Sequence, residues 1–255
     1  MKRPLIEACV DSYASAMAAS RAGADRLELC AHLVIGGTTP THALFRQVQR
    51  GSGVPINVLI RPRFGDFLYT EPELEEMCEE IAAFRDLGAN GVVIGALTPD
   101  GELDLAQMRR MMACAGQMEV TLHRAFDVCR DAHEALRTAK ELGVDTILTS
   151  GQQARCADGA PLLRELVSES GGGLRILIGG GVNADVIRAL APQTGADAFH
   201  LSAKAAVPSG MEFRREAVPM GAAGMNEFEL WRCDEGAVRA AREALDAVCT
   251  ARKEN

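Results

Sequence analysis

The chain has 255 residues, 47% apolar and 24% charged, with a net charge of −8, proportions ordinary for one soluble globular domain. The acidic balance argues against nucleic acid, which needs a basic footprint, and aromatic residues at 4% leave few stacking platforms for bases. No apolar run approaches the ~20 residues that span a bilayer, and Glu7 and Asp11 interrupt the basic start MKRPLIEACVDS, so a cytoplasmic protein without a membrane partner is expected.

In chain order, apolar runs at 5–9, 56–60, 119–122 and 175–178 read as short buried strands. Between them stand four copies of one signal: Gly23-Ala24-Asp25, Gly88-Ala89-Asn90, Gly143-Val144-Asp145 and Gly195-Ala196-Asp197. Each is followed within a residue or two by another apolar run. Glycine just past a helical stretch supplies the left-handed stop that helix ends favour, and the run behind it reads as a buried parallel strand. Successive copies are too far apart for one strand–helix unit and about right for two. Helical composition fills 12–22, 42–50, 71–87, 105–115, 132–142, 160–168 and 184–191, with a final amphipathic helix over 234–253.

Eight strands, each with a helix behind it, close most naturally into a (β/α)₈ TIM barrel of the usual ~250 residues. A single domain spanning 1–255 is therefore expected. Two stretches break the rhythm: the Gly-Gly-Thr-Thr-Pro connection at 31–41, and about thirty residues without clear periodicity at 204–233. Loops that long usually cover or do something. The apolar strip of the last helix (Ala237, Ala240, Ala241, Ala244, Leu245, Val248) has either the barrel or a sister subunit to pack on.

In such barrels chemistry sits at the carboxyl ends of the strands, and there this sequence turns polar. Glu7 and Glu28 lie inside strands, each two positions before a cysteine, Cys9 and Cys30. Side chains two apart share a strand face. A buried carboxylate needs a cationic partner, and Arg61, Arg63, His123, Arg124 and Lys204 all fall at or after strand ends. The segment His123-Arg124-Ala125-Phe126-Asp127 is the densest of these. His200 and Ser202 share a face at the end of strand eight, whereas His32, His42 and His133 read as exposed. Gly179-Gly180-Gly181 and Ser202-Ala203-Lys204 follow strands seven and eight, the loops that often cradle phosphate in this fold. The remaining cysteines are scattered without a CxxC pair, which argues against a zinc ribbon.

The blocks LIEACVDS (5–12), GADRLELC (23–30), GGTTP (36–40), IRPR with GDFLY (60–69), GALTPDG (95–101), HRAFD (123–127), LTSG (148–151), GGGV (179–182) and SGM-F followed by VPMG (209–221) together resemble the CutC copper homeostasis family. The chain departs from the family pattern at Ala31, His32, Ile35 and Lys204. The resemblance implies a cytoplasmic barrel assigned to copper handling, acting as a homodimer or homotetramer, with Cys9 and Cys30 matching the proposed Cu(I) ligands.

Soft thiolates suit Cu(I), and neighbouring strands bring Cys9 and Cys30 close. The rest of the mouth reads differently, as a site for a small anionic metabolite. In that enzyme reading His123 is the acid–base, Glu28 and Asp127 assist it, and Glu7, Arg61, Arg63, Arg124, Gly180, Gly181, His200, Ser202 and Lys204 surround substrate. Glu7, Glu28 and His123 also make a candidate set for a hard divalent ion.

Overall fold

The structure, a computed structural model, describes residues 3–215, 218 and 226–254. Most of the VPMG block and the middle of 204–233 lie outside the described residues. Eight parallel strands form a closed barrel in sequential order: β1 (Leu5–Val10), β2 (Arg26–Leu29), β3 (Ile56–Leu59), β4 (Gly91–Ile94), β5 (Glu119–Leu122), β6 (Thr146–Thr149), β7 (Arg175–Ile178) and β8 (Ala198–Leu201). The crossovers are α1 (Tyr13–Arg21), α2 (His42–Ser52), α3 (Glu71–Asp86), α4 (Leu105–Ala115), α5 (Ala132–Leu142), α6 (Ala160–Ser170) and α7 (Ala184–Thr194), and α8 (Glu235–Glu254) follows the barrel. The expected (β/α)₈ architecture is present. Among the described residues no helix is long and apolar enough to cross a membrane.

Local chemistry sets the punctuation. Ser12, Thr41, Asp104, Asp131 and Asn183 cap their helices by accepting backbone N–H bonds, which satisfies donors the first turn leaves orphaned. The four signal glycines are left-handed, with φ of +94° at Gly23, +84° at Gly88, +81° at Gly143 and +80° at Gly195. The acid or amide behind three of them has a second task. Asp25 accepts from Ile6 N at 2.8 Å, Asn90 from Ile56 N at 2.9 Å and Asp145 from Val120 N at 2.8 Å. Each side chain thus ties the turn before an even-numbered strand to the start of the odd strand preceding it.

The strands are buried on both faces, as a helix-covered parallel sheet requires. Outward residues such as Ile6, Ala8, Val10, Leu27 and Leu29 belong to one continuous core beneath the helices. Inside the barrel the apolar matter is sparse: Leu5, Leu148, Leu177 and Ala198 form one cluster, and Cys9, Cys30, Leu59 and Val93 another. The final helix packs on its own barrel, burying Val238, Ala241, Ala244 and Leu245.

The segment 204–233, expected as irregular, starts and ends in strands. β9 (Lys204–Pro208) and β10 (Glu229–Cys233) pair antiparallel, from Lys204 opposite Cys233 to Pro208 opposite Glu229. Sequence periodicity missed the ribbon because it is largely solvated on both faces and lacks an alternating apolar set.

Candidate functional site

Cys9 lies in β1 and Cys30 directly after β2, and the parallel register sets Cys9 opposite Glu28. The two sulfurs are 3.8 Å apart, and both residues are buried. Close approach here depends on Gly37, whose φ is +87°; a Cβ on it would stand 2.7 Å from Leu59 Cδ2 and 3.4 Å from Cys30 Cβ. The Cys30 thiol beside it, together with burial, pushes the Cys9 thiol well above its usual range. Ligating atoms of Cys9, Glu28 and His200 lie within 4.8 Å of one another.

A chain of charge runs from this point into the barrel. His200 Nε2 stands 3.6 Å from Glu28 Oε2, and its Nδ1 stands 2.8 Å from Glu7 Oε1. Arg26 Nε donates to Glu7 Oε2 at 2.5 Å, and Arg26 Nη1 reaches Glu119 at 3.0 Å. Burial works against every charge in this chain, but the outcomes differ. For Glu7 the Arg26 guanidinium and His200 overcome burial and hold the carboxyl at about 2. For Glu28 burial wins with help from the Glu7 charge, so its carboxyl is raised. Burial would lower His200, yet Glu28, Cys9 and Glu7 raise it well above an ordinary imidazole.

His123 follows β5 and caps the short 3₁₀ turn at Arg124–Val128: its Nδ1 accepts from Ala125 N at 3.1 Å. The neutral ring therefore carries its proton on Nε2, an atom with no hydrogen-bond partner. Burial, then the charge of Arg61, lowers its pKa to about 3. At neutral pH this histidine presents a donor edge rather than a basic one. Gly95 makes room for it, since a Cβ there would fall 2.6 Å from His123 Cε1.

A cavity of about 240 Å³ opens at the carboxyl ends of the strands. Of the residues expected there, Cys9, Glu28, Arg61, His123, Arg124, Gly180, Gly181, His200 and Ser202 line it. Cys30 stands behind Cys9, and Glu7 lies deeper, saturated by Arg26 and His200. Arg63 turns outward to Glu73, at 2.5 Å, and Asp66. Lys204 is exposed and sits over the Trp231 ring of the ribbon. Asp127 is off the cavity wall. Its carboxylate accepts from Thr149 Oγ1, Ser150 N, Gln152 N and Arg124 Nε, so it positions Arg124 and the β6 loop. The hard-ion set of Glu7, Glu28 and His123 is not assembled: Glu7 is spent on Arg26 and His200, and the clustered group is Cys9, Glu28 and His200 instead.

Sequence reasoning missed two contributors. Arg26, the counter-charge for Glu7, shares a strand face with Glu28, and period-two reading of Arg-Leu-Glu-Leu could have found it. Phe67 lies against both His123, with ring centroids 4.7 Å apart, and the Arg61 guanidinium, 5.0 Å from the ring centre. Only the folded loop reveals that contact.

A (β/α)₈ barrel with a thiol pair and a polar cavity at the carboxyl rim is thus the class of protein that fold and site define. Over residues 4–205 the chain matches the CutC family model. It is 46% identical over 242 residues to family protein CutC of Parabacteroides distasonis, covering 94% of this chain and 99% of that one. It is 41% identical over 236 residues to the human copper homeostasis protein cutC homolog, covering 92% and 86%. The solved CutC structure from Streptococcus agalactiae superposes with a TM-score of 0.75 at 27% identity, over 78% of this chain and 98% of that one. The chain belongs to the CutC family.

Proposed function

We propose that this protein takes part in copper homeostasis by binding Cu(I) between the sulfurs of Cys9 and Cys30. The observation that carries this reading is the 3.8 Å approach of two thiols from adjacent strands. Soft sulfur donors favour Cu(I) over the hard cations that carboxylates select. Cys9 lines the cavity and gives the ion a way in, while His200 and Glu28 stand near enough to shape the site. The copper role named for the human relative accords with this chemistry. The reading extends to a homodimer or homotetramer in the cytoplasm. All eight cysteines are unpaired, as a reducing compartment leaves them.

Anaerobic titration with Cu(I) against a chromophoric Cu(I) chelator tests the site. The parent chain should withdraw Cu(I) from the chelator, and a Cys9→Ser, Cys30→Ser chain should not. Equal competition by both chains refutes the assignment.

A further inference from the structure

The remainder of the cavity is built for something other than a soft metal. Arg61 is 7% exposed, yet among the described residues it has no carboxylate within ion-pair distance. Its Nη1 donates to Gly37 O at 3.1 Å and its Nη2 to Gly65 O at 2.6 Å, and Nε has no partner. Other sheltered arginines of this chain are treated differently: Arg26 is flanked by Glu7 and Glu119, and Arg242 by Asp25 and Asp246. Two carbonyls fix the Arg61 guanidinium in place without neutralising it. A buried, uncompensated cation is costly to a fold unless an anion joins it.

His123, on the wall of the same cavity, is 4% exposed and keeps its Nε2–H unspent. A buried donor left unpaired calls for an explanation, and a ligand oxygen supplies one. The rim across from β5 adds a third feature. Gly180 and Gly181, both left-handed at φ +93° and +82°, line the cavity, and without side chains they let a ligand's charged group approach the backbone closely. The Arg124 guanidinium stands beside them, 3.8 Å from where a Gly180 Cβ would be.

We propose that the barrel mouth binds a small organic oxyanion, a phosphorylated or carboxylated metabolite, whose charged group is held by Arg61 and Arg124 and whose acceptor oxygen takes the Nε2–H of His123. The cavity of about 240 Å³ suits a ligand with a few carbon atoms beyond its charged group. The guanidinium forks match either oxyanion in plane and charge. Phe67, lying over both Arg61 and His123, is the apolar wall against which the ligand body rests. This site goes beyond the copper reading and does not need the thiols.

The test uses the full chain, metal-free, with 2-phosphoglycolate, inorganic phosphate and glycolate as probes and glycerol as the uncharged control. Binding is read by calorimetry and by the ¹⁵N resonance of His123 Nε2. Saturable binding of 2-phosphoglycolate or glycolate, with displacement of the His123 resonance and no response to glycerol, is the expected result. Competition by inorganic phosphate identifies the phosphate as the recognised group; binding of glycolate without such competition identifies the carboxylate. Arg61→Gln and His123→Asn should each weaken binding by about tenfold or more, the loss of one charge-assisted contact. Arg63→Gln, at a side chain turned outward to Glu73 and Asp66, should bind as the parent does. If no probe binds at millimolar concentration and the parent's His123 resonance stays fixed, the proposal fails. Binding that persists in both the Arg61 and His123 variants overturns it equally, whatever the copper titration shows.

Discussion

His200 Nδ1 lies 2.8 Å from Glu7 Oε1, although their strands, β8 and β1, are the last and first of the barrel. The contact exists because the ring closes with Glu7 in register with His200. It joins the deepest charge pair of the barrel, Glu7–Arg26, to the rim where Cys9 and Glu28 stand. Stability and site geometry therefore share residues.

Glu7→Gln should cost about 3–5 kcal/mol, as removal of one partner of a buried pair leaves the other uncompensated. Arg26 would keep only Glu119, whose side chain is 56% exposed. Equilibrium urea unfolding of parent and variant measures the loss. A change within a few tenths of a kcal/mol would show that the ion pair contributes nothing to the fold.

The pH dependence of stability has a defined sign. His123 is held at about 3 when folded against ~6.5 in an unfolded chain. Below the higher value the unfolded state binds a proton that the folded state refuses, so stability falls as pH drops from about 6.5 to 3. The Glu7 carboxyl, held at about 2 by Arg26 and His200, adds a contribution present above its unfolded pKa and lost towards pH 2. His123→Asn keeps an acceptor for Ala125 N but cannot titrate. Its unfolding free energy should therefore vary less between pH 6.5 and 3, by on the order of a few kcal/mol. Parallel stability profiles for the two chains would contradict this account.

A second thiol pair offers an internal control for copper. Cys78 in α3 and Cys114 in α4 are half-buried on the helical layer, and burial, with the neighbouring Cys114 thiol, pushes the Cys78 thiol up to about 11. They have no histidine or carboxylate gathered with them among the described residues, unlike Cys9. A Cys78→Ser, Cys114→Ser chain should bind Cu(I) with the parent's stoichiometry and affinity. Loss of binding in that variant would move the site to the helices.

Gly37→Ala should damage both fold and thiol pair. The new Cβ collides with Leu59, and the φ of +87° is strained for any side chain. A cost of about 1–3 kcal/mol is expected from such overpacking, seen as a lower Tm, with weaker Cu(I) competition because Cys30 must shift. An unchanged Tm would mean that the loop relaxes freely.

The sequence by itself determined the barrel. The Gly-(Ala/Val)-(Asp/Asn) signals encode local events, a left-handed helix stop and a short buried strand, and both depend on neighbouring residues alone. Strands 119–122 and 175–178 and helices 105–115 and 132–142 accordingly stand where periodicity put them. The pairing of Cys9 with Cys30 was legible for the same reason, as both end adjacent strands. Tertiary structure alone decided which polar side chains turn inward. Arg61 and Arg63 look alike in sequence, two positions apart after one strand, yet the first is locked by Gly37 and Gly65 and the second is drawn out by Glu73. Only the fold assigned Asp127 to holding a loop, Lys204 to the ribbon, and the proton of His123 to Nε2. Such choices turn on partners many residues away, whose distances are set by ring closure and loop packing and leave no local mark on the chain.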